Sequence, residues 1–300
     1  MLSGKNVACA AGVRASAFFG VAAAGVAGAQ CETSRRTRVR SSAGMMNKKT
    51  AVFRAIVVVA AVPLLAMAVA ACGARSEDRG SAPILLFTGT GTSPGDTAAL
   101  ETILKTNDLV YATASSAELN AMTEDGLRRY RLLIFPGGDF LKIGNSLSPR
   151  AIANIHESVR HGLNYLGICA GAFLAGSVPY PYKSLNLTSG VQFRFYAAGR
   201  DVHKAAVAVS VAGGPTVDHY WEDGPQLSGW GAIVAKYPDG TPAIVQGTFG
   251  HGWVILTGVH AEAPESWRRG MTFTTASVTD TAFAATLIRA ALNGTPLSHF

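Results

Sequence analysis

Cysteine is nearly absent from the part of this 300-residue chain that reads as globular. Of four cysteines, Cys9, Cys31 and Cys72 precede that part and Cys169 alone lies inside it. An internal disulfide framework is thereby excluded, and a lone thiol becomes a candidate reactive group. Charge is scarce as well, at 15% of residues against 48% apolar ones, which excludes a disordered chain. A basic surface is the third absence. The formal charge of +7, from 26 Lys+Arg against 19 Asp+Glu, points at first to nucleic acid or an anionic membrane. Nine of those basic residues and one acid, Glu32, fall within residues 1–54, leaving 17 basic against 18 acidic for everything after. The remainder is near neutral, so nucleic-acid binding is not expected. Finally, 33 Gly and 13 Pro follow no period, which excludes collagen and implies many tight turns.

What is present starts with a leader. Residues 46–72 read MNKKTAVFRAIVVVAAVPLLAMAVAAC: a positive n-region (Lys48, Lys49, Arg54), an uncharged stretch Ala55–Ala71, then Cys72 and the polar run GARSEDRGS. This is the order of a secretory signal. Its end, Val69-Ala70-Ala71-Cys72, resembles the lipobox of bacterial lipoproteins, in which the cysteine is lipidated and becomes the mature N-terminus. A transmembrane anchor is the alternative, since the uncharged stretch sits at the lower limit of a span. The expected location is the extracytoplasmic face of the cell membrane, held by lipid on Cys72. Residues 1–45, Ala/Gly-rich and then SRRTRVRSS, precede Met45-Met46 and read as a start-site extension without a function. Residues 73–82 read as a polar linker.

One domain is expected over 83–294, long enough for a sizeable core. Short apolar runs at Pro83–Phe87, Leu109–Ala112, Arg131–Phe135 and Leu163–Ile168 alternate with helical patterns at Asp96–Lys105, at Pro149–Arg160 behind the N-cap Ser148, and at Ala170–Ala175. That alternation predicts an α/β fold with a parallel sheet covered on both faces. After Ser177 the pattern changes to strands with hairpin signals, at Val191–Tyr196, Ala205–Val211, Ala232–Lys236, Ala243–Thr248 and Trp253–Val259. A last helix over Thr279–Leu292 ends at Asn293-Gly294.

Gly167-Ile168-Cys169-Ala170-Gly171, after an apolar strand and before a helix, has the form of a nucleophile elbow. The small residues let the chain turn sharply and leave the thiol at a helix N-terminus, where a thiolate is favoured. Downstream, a strand delivers His260 and Glu262 from its end, and residues two apart in extended chain point to one side. Glu262 can then orient His260, which takes the proton of Cys169. Pro136-Gly137-Gly138-Asp139 follows the third strand, and its glycines allow backbone amides to approach an oxyanion. Asp218, His219 and His203 show no metal-ligand spacing, and Thr88–Thr92 lacks the lysine of a phosphate-binding loop. Neither a metal nor a cofactor is expected. Tyr180, Tyr182, Tyr196, Tyr220, Trp221 and Trp230 either line a pocket or pack as core and hairpin surface.

PGGD, GICAG and HAE in that order resemble the class I glutamine amidotransferase-like superfamily. The wording FPGGDF, YLGICAGAFLAG and GTFGHGWVILTGVHAE is most similar to the biotin-protein ligase N-terminal domain family within it. The resemblance implies a flavodoxin-like three-layer sandwich with a mostly parallel central sheet and C-terminal β-hairpin additions. It also implies a Cys169, His260 and Glu262 triad, with Gly137, Gly138 and Ala170 as oxyanion-hole residues. Glutamine-hydrolysing members continue the elbow as Cys-Leu-Gly-His-Gln, whereas Ala170-Gly171-Ala172-Phe173 follows here, so glutamine is not the expected substrate. No ligase domain is expected, so the chain does not itself attach biotin.

Together these readings predict an exported, lipid-anchored thiol hydrolase or amidotransferase-like protein acting on a small-molecule or peptide amide. A non-catalytic binding module of the same fold is the alternative. The anchor has a direct check: mass spectrometry of the fragment containing Cys72 should show a lipid mass that globomycin abolishes. An unmodified thiol there removes the lipoprotein assignment.

Overall fold

The computed structural model describes residues 82–179 and 181–300. The 1–45 extension, the 46–72 signal with Cys72, nearly all of the 73–82 linker, and Tyr180 lie outside the described residues. Among the described residues, no helix is long and apolar enough to cross a membrane.

Three short strands open the fold: β1 (Ile84–Phe87), β2 (Tyr111–Ala114) and β3 (Leu132–Phe135). With β4 (Asn164–Ile168) and β11 (Gly252–Thr257) they form five parallel strands in the order β2-β1-β3-β4-β11. This is the doubly wound flavodoxin-like order, whose strand direction of travel reverses between β1 and β3. Beyond β11 the sheet continues antiparallel through β10 (Pro242–Phe249), β9 (Ala232–Lys236), β6 (Lys204–Val211) and β7 (Thr216–Glu222). The expected hairpin additions therefore extend the main sheet to nine strands. A separate ribbon pairs β5 (Arg194–Phe195) with β8 (Pro225–Gln226).

Alternate residues of each parallel strand feed two cores. Ile84, Leu86, Leu132, Ile134, Leu166 and Ile168 join α1 (Pro94–Thr106) and the C-terminal helix α8 (Ser277–Asn293) on one face. Leu85, Phe87, Leu133, Phe135 and Tyr165 meet the opposite layer. That layer comprises α2 (Ser116–Ala121), α3 (Glu124–Leu127), α4 (Phe140–Ser146), α5 (Pro149–Arg160) and α6 (Ala170–Ala175). Strands buried on both faces read as uninterrupted apolar runs, which is why they were legible as parallel.

Local signals act as expected at several ends. Ser148 caps α5 by accepting the Ala151 amide, with Pro149 in the first turn. Gly294 ends α8 in the left-handed conformation, φ +61°. Elsewhere the structure differs. The second strand lies at Tyr111–Ala114, two residues later than expected, because Asn107 and Leu109 bond back to Ile103 and Leu104 and close the helix first. Only Arg194–Phe195 of the Val191–Tyr196 stretch is a strand. Strand β7 was not anticipated. The chain also keeps packing past residue 294, where the Gln246 side chain bonds both backbone groups of Leu297.

A segment between β11 and α8 carries α7 (Glu265–Arg268) and is fastened from behind. Asp218 on β7 accepts hydrogen bonds from both amides and one hydroxyl of Thr274 and Thr275, at 2.5–2.9 Å. Arg268 Nη1 donates to Asp280 Oδ2 at 3.0 Å, and its Nη2 donates to the Thr275 carbonyl. Burial alone would raise the Asp218 pKa, but the Thr275 and Thr274 donors outweigh it and hold it down to about 2. A depressed carboxylate contributes stability above its unfolded pKa and loses it as pH falls through the folded one. Asp218→Asn should therefore cost roughly 1–3 kcal/mol at pH 7, as for other hydrogen bonds to a charged group. In urea titrations the gap to wild type should shrink between about pH 4 and pH 2. A gap independent of pH would show that the charge is not what fastens this segment.

Candidate active site

The site forms where four parallel strands deliver loops from their C-terminal ends, beside the β1/β3 switch point where open α/β sheets place ligands. The β4–α6 turn supplies Cys169 at φ +46° and ψ −99°, a conformation that costs a non-glycine residue of order 1–3 kcal/mol. The glycines around it explain how the turn closes. A Cβ on Gly171 would lie 2.2 Å from the Phe135 carbonyl oxygen, and one on Gly167 would lie 2.6 Å from the Gly171 oxygen. Only bare backbone lets α6 seat this close to β3 and β4. Cys169 is a buried free thiol whose amide donates to Thr257 O at 2.8 Å. Its Sγ lies 3.6 Å from the carbonyl oxygen of Glu222, the end of β7.

His260 and Glu262 follow β11 as expected, although the strand itself stops at Thr257. The His260 amide donates to Tyr220 O at 2.8 Å, which ties the loop to β7. Glu262 Oε1 lies 2.6 Å from His260 Nδ1, and both side chains are buried. The orienting pair predicted from two-residue spacing is thus in place, made by a loop rather than by extended strand.

Asp96 is the residue that sequence reasoning missed. It lies in the first turn of α1, wholly buried, with Oδ2 3.4 Å from His260 Nδ1. The same oxygen accepts the Gly137 amide at 2.6 Å. This corrects the expected role of Gly137, whose N–H is already committed to Asp96. Glycine is nevertheless required there, since a Cβ would meet Asp96 Oδ2 at 2.3 Å and His260 Cε1 at 2.6 Å. The amides of Gly138 and Ala170 have no hydrogen-bond partner among the described residues, and both residues adjoin Cys169 or share its cavity. A buried acid at the start of an otherwise ordinary amphipathic helix was the available signal, but a first-turn Asp is equally a favourable partner for the helix dipole.

Electrostatically, two carboxylates converge on one imidazole. Burial, followed by the charge on Asp96, raises Glu262 to about 7 against the opposing pull of His260. Burial also disfavours a charged ring at His260, but Glu262 and then Cys169 and Asp96 overcome it and raise that pKa well above the usual imidazole range. Ligand atoms of Asp96, His260 and Glu262 lie within 4.8 Å of one another, a set able in principle to hold a cation. Its atoms are already used among themselves, with Nδ1 engaged by Glu262 and Asp96 Oδ2 by Gly137. The cluster is better suited to holding a proton than an ion.

Cys169 and His260 open onto a cavity of about 450 Å³, lined also by Ser93, Asp96, Gly138, Asp139 and Trp267. Of the aromatic residues singled out after the elbow, Tyr196 and Trp221 are core, and Tyr220 packs 5.8 Å from the His260 ring. His203 is exposed and pairs with Asp223, while the His219 ring is buried with Nδ1 3.0 Å from Asp280 Oδ1, out of hydrogen-bond alignment.

Comparison with known proteins bears on the class. Residues 82–197 match the family described as Biotin-protein ligase, N terminal. That is the family the sequence motifs resemble, matched over less than half of the chain. The order of the parallel strands is that of flavodoxin-like α/β proteins. Among solved structures, a glutamine amidotransferase is 19% identical with a TM-score of 0.48, covering 60% of this chain and 90% of that one. A PurLQS structure from Thermotoga maritima is 16% identical with a TM-score of 0.47, over 69% of this chain and 97% of that one. An exo-beta-1,4-mannosidase from Opitutaceae bacterium strain TAV5 is 14% identical with a TM-score of 0.47, over 69% of this chain and 36% of that one. No curated protein matches the sequence.

Imidazole ¹⁵N chemical shifts followed against pH test the two-carboxylate arrangement. Glu262→Gln should move the His260 midpoint down by at least one pH unit, on the order expected for losing a close opposite charge. Asp96→Asn should move it less. A midpoint unmoved in both variants would contradict the arrangement.

Proposed function

We propose that this protein is an exported, lipid-anchored thiol hydrolase or amidotransferase-like enzyme acting on an amide. The observation that carries the reading is the pairing, in one cavity, of a strained elbow cysteine with a histidine whose far nitrogen is bound at 2.6 Å by a buried carboxylate. In the proposed reaction Cys169 Sγ forms a bond to the substrate carbonyl carbon. The resulting oxyanion is held by the amides of Ala170 and Gly138, the two left unpaired once Gly137 has been taken by Asp96. The C–N bond breaks as His260 passes its proton to the leaving amine. Water, its proton taken by His260, then releases the acid from the thioester and restores the thiol. Glu262 keeps Nδ1 protonated and faces the other nitrogen toward the chemistry, which is the orienting role in triads generally. Asp96 adds negative charge behind the ring, favouring the imidazolium that each step passes through.

Lipid on Cys72 would place this chemistry at the extracytoplasmic membrane surface, with a small-molecule or peptide amide as substrate. The near-neutral composition after residue 54 supports the absence of a nucleic-acid partner.

A second reading, a binding module that keeps the elbow without turnover, draws support from the thiol itself. Sγ finds its hydrogen-bond acceptor in Glu222 O rather than in the imidazole. Alkylation kinetics separate the two. For the enzyme, iodoacetamide should modify Cys169 at pH 6 at least tenfold faster than it modifies free cysteine, and His260→Ala should abolish the advantage. Hydrolysis of a responsive amide should vanish in Cys169→Ala. An ordinary thiol rate, indifferent to His260, would favour the module.

A further inference from the structure

We propose that the cleft selects substrates in which the reacting amide is flanked by an aromatic group and an ammonium, and rejects those with a carboxylate in that place. The proposal rests on the preceding reading only in placing the reacting carbonyl at Cys169.

Three phenylalanines from separate elements meet beside the thiol. Phe140 at the start of α4 stacks on Phe173 of α6, with centroids 4.7 Å apart and planes 24° apart. Phe195 of β5 lies 4.7 Å from Phe173 and 6.3 Å from Phe140. All three line the cavity that holds Cys169, and all three also line a second cavity of about 260 Å³ floored by Leu141, Val178 and Pro179. The rings thus form a shelf shared by two adjoining spaces, reaching from the nucleophile outward. Phe195 remains 57% exposed, an unusual state for a residue already within a ring cluster. Seating a flat apolar group on it would bury that surface, with a gain of roughly 25 cal/mol per Å² removed from water. Trp267, packed over Gly95, also lines the cavity.

Apart from the His260 ring, charge around the same space has one sign. Asp96, Asp139, Glu222 and Asp223 line it, and no lysine or arginine does. Neighbouring donors engage single members of that set. Lys142 Nζ lies 3.2 Å from Asp139, His203 Nδ1 lies 3.1 Å from Asp223, and Tyr220 donates to Glu222 Oε2 at 2.5 Å. None of those three residues lines the cavity. Asp96 Oδ1, fully buried, has no hydrogen-bond partner among the described residues. A ligand carboxylate would find no cation here except the His260 ring, which Glu262 and Asp96 already face. An ammonium would find both carboxylates and the faces of aromatic rings, two partners it is recognised by. Glutamine has an ammonium but pairs it with a carboxylate and carries no ring, so the phenylalanine shelf has nothing to bind.

Two measurements on the full-length, detergent-solubilised protein test this. In the first, Cys169 is alkylated with iodoacetamide, iodoacetate and N-(4-aminomethylbenzyl)iodoacetamide, read on the Cys169 peptide by mass spectrometry and normalised to each reagent's rate with free cysteine. The aromatic cation should lead iodoacetamide by about tenfold, equivalent to about 1.4 kcal/mol, and iodoacetate should trail both. Phe195→Ser and Asp223→Asn, both at exposed positions, should each reduce that preference severalfold. In the second, benzylamine and phenylacetate are titrated into the Cys169→Ala protein by calorimetry, and only benzylamine should bind. Equal normalised rates together with no benzylamine binding would overturn the proposal even if Cys169 proved reactive. Benzylamine binding weakened by Phe195→Ser, alongside an unreactive Cys169, would uphold the cleft's selectivity and remove the hydrolase reading instead.

Discussion

Asp96 Oδ2 holds the Gly137 amide at 2.6 Å and stands 3.4 Å from His260 Nδ1, all of them buried. One carboxylate thereby joins the start of α1, the loop after β3 and the loop after β11. Backbone bonds also hold these ends, Ser93 to Gly137 and His260 to Tyr220, but Asp96 is the side chain that reaches all three. An isolated buried carboxylate is expensive, and this one persists because an amide and a charged imidazole share its charge. Glu262 completes the balance. Two acids this close cannot both ionise freely, so the proton that Glu262 tends to hold and the charge that His260 tends to carry are one coupled property of the trio.

The fold was legible wherever burial wrote a simple pattern. Four-residue apolar runs bounded by turns gave β1 and β3 within a residue, and Ser148-Pro149 fixed the start of α5. Gly-x-Cys-x-Gly gave the elbow because its two glycines answer backbone contacts of 2.2–2.6 Å that no other residue tolerates. The remainder was hidden for physical reasons. Strand β7 carries Asp218, His219, Tyr220 and Trp221 in succession, and its buried polar groups broke the apolar signature. Asp96 was hidden because its partners lie 41 residues or more away along the chain, and local sequence carries no trace of that distance. Gly137 was read correctly as a place of close approach and incorrectly as to what approaches it. The phenylalanine shelf escaped for a similar reason, since Phe140, Phe173 and Phe195 become neighbours only through the fold.

Position in the sheet also explains how the charge and the reactive sulfur coexist. Parallel strands end together, so the loops after β1, β3, β4 and β11 are brought to one edge, and polar groups there can be enclosed by backbone instead of by a dedicated core. The antiparallel half contributes from the side. Strand β7 presents the Glu222 carbonyl to Sγ and holds the His260 amide through Tyr220, so the extension added beyond β11 is part of the site and not an appendage to it.

The Asp218 and Arg268 fastenings behind the Trp267 segment have a mechanical meaning. That wall is bolted to β7 and α8 by buried polar contacts, whereas Phe195 reaches the cavity from a two-residue strand with its ring largely exposed. Reactive groups and recognition groups thus rest on different supports. Sequence can drift in the second without disturbing the first, which gives the scaffold a way to acquire new ligands while its chemistry stays fixed.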